Sequence, residues 1–468
     1  MSMRESRSRP DSCSLPSGNE VLKMDIPKTL TIKNVKKAYK EGLTPEELIQ
    51  EIIHRTEIYG DNPIFIWKPS MDWIRTYIDS LPEDDGALPL WGIPFAIKDN
   101  IDLAGVPTTA ACPAYRYIPK KSAAVVEKLI RAGAIPIGKT NLDQFATGLV
   151  GTRSPYGEVH NAWQPEMISG GSSSGSAVSV ALGLSAFALG TDTAGSGRVP
   201  AMLNSLVGWK PAVGAWSSSG VVPACESLDC VTVFAHSLDE AEQVDSIARG
   251  YDPECKWSRE IGWGEKSLPK KILIPSSEPR FYGDHEELYR QKWNNCIARI
   301  KKLPISVETV DTALFEKAAL ILYEGAYVAE RWEALGDFVE SHPGKTFPVT
   351  ETILRSGDKL ENTAAQLFRD LHSLQEYRHE ASYILHDAVL VLPTAGGSFT
   401  REEVRKDPIQ TNSLMGLYTN HCNLLDLSAI ALPENSRDHL YPFGITMFSL
   451  SDSTGRLSQT AHAFLSQE

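Results

Sequence analysis

The chain has 468 residues, 42% of them hydrophobic and 22% charged, and a formal net charge of −13. That balance is ordinary for a soluble globular enzyme, and the acidity argues against broad binding to nucleic acid or an anionic membrane. No apolar run is long enough to cross a bilayer, and seven scattered cysteines without metal spacing or a secretory signal point to a reducing, cytoplasmic compartment.

The first 29 residues begin Ser-, Arg- and Pro-rich and are expected to be a disordered tail. Two helices follow. The second opens on Thr44-Pro45-Glu46-Glu47, a capping box with proline at the first helical position. Leu90 to Asn100 (LWGIPFAIKDN) reads as an interior strand with Lys98 at its end. A lysine buried there loses its proton more easily, because desolvation disfavours the charged form, and becomes a candidate general base. A surface lysine closing a strand is the alternative.

Gly133 to Thr140 (GAIPIGKT) matches the phosphate-loop pattern letter for letter. A phosphate loop follows a strand and opens a helix, whereas here the helical segment Ser122–Ala132 precedes and Ala134–Ile137 is itself the strand. The match is therefore set aside. GxSxG at Gly171–Gly175, centred on Ser173, lacks the strand that a nucleophile elbow requires and is set aside too.

Ser169 to Pro200 (SGGSSSGSAVSVALGLSAFALGTDTAGSGRVP) places two Gly/Ser loops around an apolar segment. Small residues let backbone N–H groups approach a ligand, and the apolar middle anchors both loops, as a nucleophilic serine site requires. From Leu90 to about His236 strands and helices alternate, which predicts an α/β fold. Asp284 to Arg378 is more helical, with one long helix expected over Asp311–Leu335. On it Tyr323, Tyr327 and Arg331 fall at four-residue steps, within about 80° of arc on one face. Val389–Thr394 (VLVLPT) then returns the chain to the sheet.

Lys98, the GGSSSGS run from Gly170 to Ser176 and GTDTAGSGRVP from Gly190 to Pro200 resemble the amidase-signature family. The resemblance implies a large mixed β-sheet surrounded by helices and a Ser–Ser–Lys triad. By position, Ser196 is the nucleophile, Ser172 the bridging serine, reached through a cis Gly171–Ser172 peptide, and Lys98 the base. The N–H groups of Thr193, Ala194, Gly195 and Ser196 would form the oxyanion hole, with Asp192 and Arg198 holding the loop. No metal or cofactor is implied. Ser174 and Gly197 depart from the usual glycine and isoleucine.

LYEGAYVAERWEAL, Gly138–Gly157 and Tyr418–Pro433 resemble the allophanate hydrolases within that family. This implies that Tyr323 and Arg331 bind the substrate carboxylate, with Gly148 lining the pocket and residues of about 284–378 forming a helical substrate-binding region. An arginine fork matches a carboxylate bidentately. Residues 30–468 would be one amidase domain, without the family's C-terminal decarboxylating domain, releasing ammonia and N-carboxycarbamate through an acyl-enzyme. A homodimer and a functional link to urea carboxylase are further implications. The alternatives are an amidase for another small amide, an amidotransferase component working beside transfer RNA, or a non-catalytic scaffold.

Overall fold

The computed structural model describes residues 26–83, 86–435 and 439–467, so the expected tail lies almost wholly outside the described residues. Eleven strands form one sheet. They are β1 (Phe65–Trp67), β2 (Pro94–Lys98), β3 (Ile135–Thr140), β4 (Phe187–Asp192), β5 (Val207–Lys210), β6 (Cys230–Ala235), β7 (Lys271–Pro275), β8 (Ser306–Val310), β9 (Ala388–Pro393), β10 (Leu427–Pro433) and β11 (Gly444–Leu450). Their order is β1-β3-β2-β4-β6-β5-β10-β11-β9-β7-β8.

The sheet is mixed. β2 runs parallel to β3 and β4, and β7 parallel to β8 and β9, while β6, β5, β10 and β11 join the two groups by antiparallel pairs. Strands β2, β3, β4, β6, β9 and β10 are buried at every residue, which is why apolar residues fall on both of their faces. Edge strand β8 is mostly exposed and carries Glu308. The expected α/β class with a large mixed sheet and surrounding helices is what the chain adopts.

Because β2 and β4 are parallel neighbours, their carboxyl ends emerge at the same edge. That edge brings Lys98, the last residue of β2, beside Thr191 and Asp192, which end β4. It is the position where open α/β sheets place ligands. The capping box at Thr44 is formed, with the Glu47 carboxylate accepting from the Thr44 N–H at 2.9 Å.

The region from Asp284 to Arg378 contains helices Glu286–Ile300, Ala313–Ile321, Val328–Ser341 and Pro348–Arg355 and most of Ala364–Ile384, and also edge strand β8. It is no separate body: Leu314, Phe315, Ala318 and Leu374 share one core with Leu390 and Leu392 of β9 and Phe448 of β11. Each buried Leu or Phe among them contributes about 1.5–3 kcal/mol by leaving water.

The single helix expected over Asp311–Leu335 is corrected here. The chain breaks between Ile321 and Val328. Asp370, from the Ala364–Ile384 helix, accepts the Ala326 N–H at 2.7 Å and diverts it from the helical ladder. Gly325, a poor helix former, sits inside the break. Tyr323 therefore stands in a turn, Tyr327 caps the second helix and Arg331 lies in its first turn, so the three do not share one helical face.

Candidate active site

Lys98 is fully buried. Its Nζ lies 2.7 Å from Ser172 Oγ and 2.7 Å from Thr191 Oγ1, and among the described residues no carboxylate reaches ion-pair distance. Burial pulls its pKa down to about 7, although Asp143, Asp229 and Asp192 pull the other way. Asn100 Nδ2 also donates to Thr191 Oγ1, at 3.3 Å, so that hydroxyl is fixed from two sides.

Ser172 follows a cis Gly171–Ser172 peptide. Its carbonyl accepts the Asp143 N–H at 3.0 Å. The Asp143 carboxylate in turn accepts from the N–H groups of Val150, Gly151 and Arg153 at 3.2, 3.0 and 2.9 Å. One buried aspartate thus ties Ser172 to the Thr147–Arg153 loop. Ser173 is the residue before the Ser174–Ala181 helix, and its hydroxyl is bonded to Thr191 O at 3.1 Å, a structural role.

Ser196 sits in the turn after β4 and is 3% exposed. The turn is built around the Asp192 carboxylate, which accepts from Gly195 N–H (2.8 Å), Gly197 N–H (3.0 Å) and Arg198 Nε and Nη2 (both 2.9 Å). Arg198 Nη1 reaches Thr419 O at 3.1 Å. Asp192 and Arg198 thus hold the loop, as the sequence leads one to expect. Gly195 has φ +143°, and a Cβ there would fall 2.3 Å from Thr419 Oγ1, so the turn admits only glycine.

Two details depart from the expected arrangement. The Ser196 hydroxyl makes no hydrogen bond among the described residues, so its link to Ser172 is not closed in this state. Catalytic hydrogen bonds commonly tighten only when substrate binds. The Gly195 N–H is committed to Asp192, whereas those of Thr193, Ala194 and Ser196 donate to no protein group among the described residues. Gly195 is therefore corrected from ready oxyanion donor to turn former.

At the other end, Arg331 is 1% exposed, with Nη1 3.2 Å from Thr147 Oγ1 and Nη2 3.5 Å from the Tyr323 hydroxyl. Its guanidinium carbon lies 5.4 Å from the Tyr323 ring centre. Among the described residues no carboxylate pairs with it within 4.0 Å. Gly148 follows Thr147, and a Cβ on it would fall 2.6 Å from Asp143 Oδ2. The structure thus gathers Tyr323, Arg331 and the Gly148 loop in one place.

A cavity of about 500 Å³ opens at Tyr323, with Arg153, Asn412 and Asn420 also in its wall. The Asn420 amide, oriented to satisfy its neighbours, donates to Ala194 O at 2.9 Å, which links this wall to the turn bearing Ser196. Sequence reasoning did not single out Thr191, Asp143, Thr147 or Asp229. Thr191 lies inside the GTDTAGS motif and was legible by position, but the other three carry no local signal. Lys139, the lysine of the apparent phosphate loop, is buried 3.2 Å from Asp99 and donates to Thr108 Oγ1 at 3.0 Å, an internal role.

The buried Lys98 amine thus meets the Ser172 hydroxyl close to the turn after β4 that bears Ser196. The amidase family model matches residues 47–452, and the chain belongs to that family. It is 44% identical over 386 residues to a urea amidolyase of Lachancea kluyveri, covering 81% of this chain but 21% of that protein. It is 31% identical over 412 residues to a glutamyl-tRNA(Gln) amidotransferase component of Carboxydothermus hydrogenoformans, covering 82% and 84%. Among solved structures, the Kluyveromyces lactis allophanate hydrolase superposes with a TM-score of 0.87 at 38% identity, over 93% of this chain and 72% of that one. The chain therefore spans about a fifth of the length of the urea amidolyase it matches.

Proposed function

We propose that this chain hydrolyses the terminal amide of allophanate, releasing ammonia and N-carboxycarbamate. The observation that carries the chemistry is the buried Lys98 amine held on the Ser172 hydroxyl at 2.7 Å. Neutral Lys98 takes the Ser196 proton through Ser172, whose hydroxyl both donates and accepts. Ser196 Oγ then attacks the amide carbonyl. The developing oxyanion meets the free N–H groups of Thr193, Ala194 and Ser196, and each such donor contributes about 3–4 kcal/mol of transition-state stabilisation. The relay returns its proton to the leaving nitrogen, ammonia departs, and water hydrolyses the acyl-Ser196 ester by the reverse route.

The substrate carboxylate is read by Arg331 and Tyr323, beside Gly148. A buried guanidinium with no carboxylate within ion-pair distance among the described residues supports an anionic substrate, because burying such a charge unpaired is costly. The likeness to urea amidolyases and to an allophanate hydrolase structure supports the same reading. It also supports a functional link to urea carboxylase. A homodimer in the cytoplasm completes the proposal.

The similarity to an amidotransferase component favours one second reading, amide hydrolysis in the service of a partner bound to transfer RNA. Ammonia release from allophanate, biuret and malonamide, assayed in parallel for the wild type and Ser196→Ala, tests the proposal. Allophanate is expected to be the preferred substrate, with activity lost in Ser196→Ala. Comparable turnover of all three, or an active Ser196→Ala, overturns it.

A further inference from the structure

The Val328–Ser341 helix carries two neighbouring charges that serve different places. Arg331 faces Thr147 and Tyr323, while Glu330 holds the segment from Ala224 to Asp229. Glu330 Oε1 accepts the Ser227 N–H at 2.7 Å, and Oε2 accepts from Ser227 Oγ and Cys225 Sγ, each at 2.8 Å. At the far end of that segment, Asp229 Oδ2 accepts the N–H groups of Ala224 and Cys225 at 2.8 and 3.2 Å, and Oδ1 accepts the Thr193 hydroxyl. Thr193 opens the oxyanion turn. Asn423 Nδ2 pins the same junction, donating to Leu228 O and Asp192 O at 2.7 Å each. Cys225, Leu228 and Asp229 are buried, so the segment has little room to shift independently.

We propose that Ala224–Asp229 is a strut joining the carboxylate-binding helix to the oxyanion turn, and that Glu330 and Asp229 are its positioning residues. Through it, engagement of the substrate carboxylate by Arg331 sets the register of Thr193 and its neighbours, and so raises turnover rather than affinity alone. The inference rests on the carboxylate-binding reading of Arg331. Binding energy from a non-reacting group accelerates a reaction when it is spent on orienting the groups that meet the transition state. The strut gives that expenditure a route of one side chain at each end. A purely structural segment would instead position the turn equally for every substrate.

The test measures kcat and KM separately on allophanate and on uncharged malonamide, for the wild type, Arg331→Ala, Glu330→Gln and Ser227→Ala. Glu330→Gln sets an amide against three donors. It is expected to lower kcat on allophanate about 10- to 100-fold, the scale of a small misplacement, with KM and malonamide turnover changed less than about threefold. Ser227→Ala, which removes one donor and preserves the fold, shifts kcat the same way by about threefold, and decides the matter if Glu330→Gln does not fold. Equal losses on both substrates, or a change in KM alone, overturn the strut. Arg331→Ala separates the two claims: if it fails to discriminate the substrates the carboxylate-binding reading falls, and if it discriminates while Glu330→Gln does not, the strut alone falls.

Discussion

The Lys98 amine lies 2.7 Å from the Ser172 hydroxyl across 74 residues of sequence, with hydroxyl oxygens as its only hydrogen-bond partners among the described residues. Among the described residues no carboxylate lies within ion-pair distance of it, and the more distant Asp143, Asp229 and Asp192 offset its burial only in part. Burial dominates, and the group is poised to give up or take a proton near neutrality. This is the property that a base acting through a serine relay requires.

Activity follows the charge of that amine. With the Lys98 pKa near 7, the neutral form prevails above pH 7 and declines about tenfold per unit below pH 6. Asp229, raised to about 6 by burial, also loses its full acceptor capacity as it protonates below that value. The logarithm of kcat/KM should therefore rise with unit slope toward pH 7 and steepen below pH 6. A profile flat from pH 5.5 to 8, with the fold intact by circular dichroism, contradicts the assignment of Lys98.

Thr191 holds the Lys98 amine. Thr191→Val removes the hydroxyl that meets Lys98 at 2.7 Å and Asn100 at 3.3 Å. Loss of a hydrogen bond to an ionisable group costs about 1.5–3 kcal/mol, so kcat should fall roughly 10- to 100-fold while Thr191→Ser recovers most of it. Wild-type kinetics in the valine variant would remove Thr191 from the site.

Gly148→Ala tests the packing of the substrate loop. The added methyl would lie 2.6 Å from Asp143 Oδ2 and 3.1 Å from Arg153 Cδ. Asp143 cannot yield without loosening its three backbone bonds, so the substitution should destabilise by about 1–3 kcal/mol in urea unfolding. A change below about 0.5 kcal/mol would mean that the loop gives way freely.

Away from the site, Glu240 has a pKa raised to about 7, mainly by burial, while it accepts the N–H of Ile32 at the start of the first helix. A carboxyl whose folded pKa exceeds its unfolded value stabilises at low pH, and that contribution is lost as pH rises from about 4.5 to 7. Glu240→Gln escapes this loss. Its stability relative to wild type should grow between pH 5 and pH 8 by up to about 3 kcal/mol. A difference that is constant across that range, measured by thermal unfolding, contradicts the assignment.

Much of the site was legible because its groups lie in compact motifs at strand ends. Lys98 closes an apolar run, and the two Gly/Ser loops flank one apolar segment, so their meeting follows once β2 and β4 pair in parallel. Resemblance pairs Tyr323 with Arg331, whereas the single helical face that periodicity suggests for them is broken in the structure. Helical periodicity shows nothing of Asp370, more than forty residues away, which accepts the Ala326 N–H and breaks the helix. Resemblance counts the Gly195 N–H among the oxyanion donors because the sequence does not reveal which N–H groups a nearby carboxylate claims. Asp143, Thr147 and Asp229 act through contacts at long range, to which a local pattern is blind.

The central claim is that a serine amidase here selects an anionic amide through Arg331. It is tested most directly by the ratio of kcat/KM on allophanate to that on malonamide, in the wild type and in Arg331→Ala. The account predicts a high ratio in the wild type that falls at least about 100-fold in the variant, through loss on allophanate and not on malonamide, since a desolvated charge–charge pair contributes about 3 kcal/mol or more. An equal loss on both substrates would contradict it.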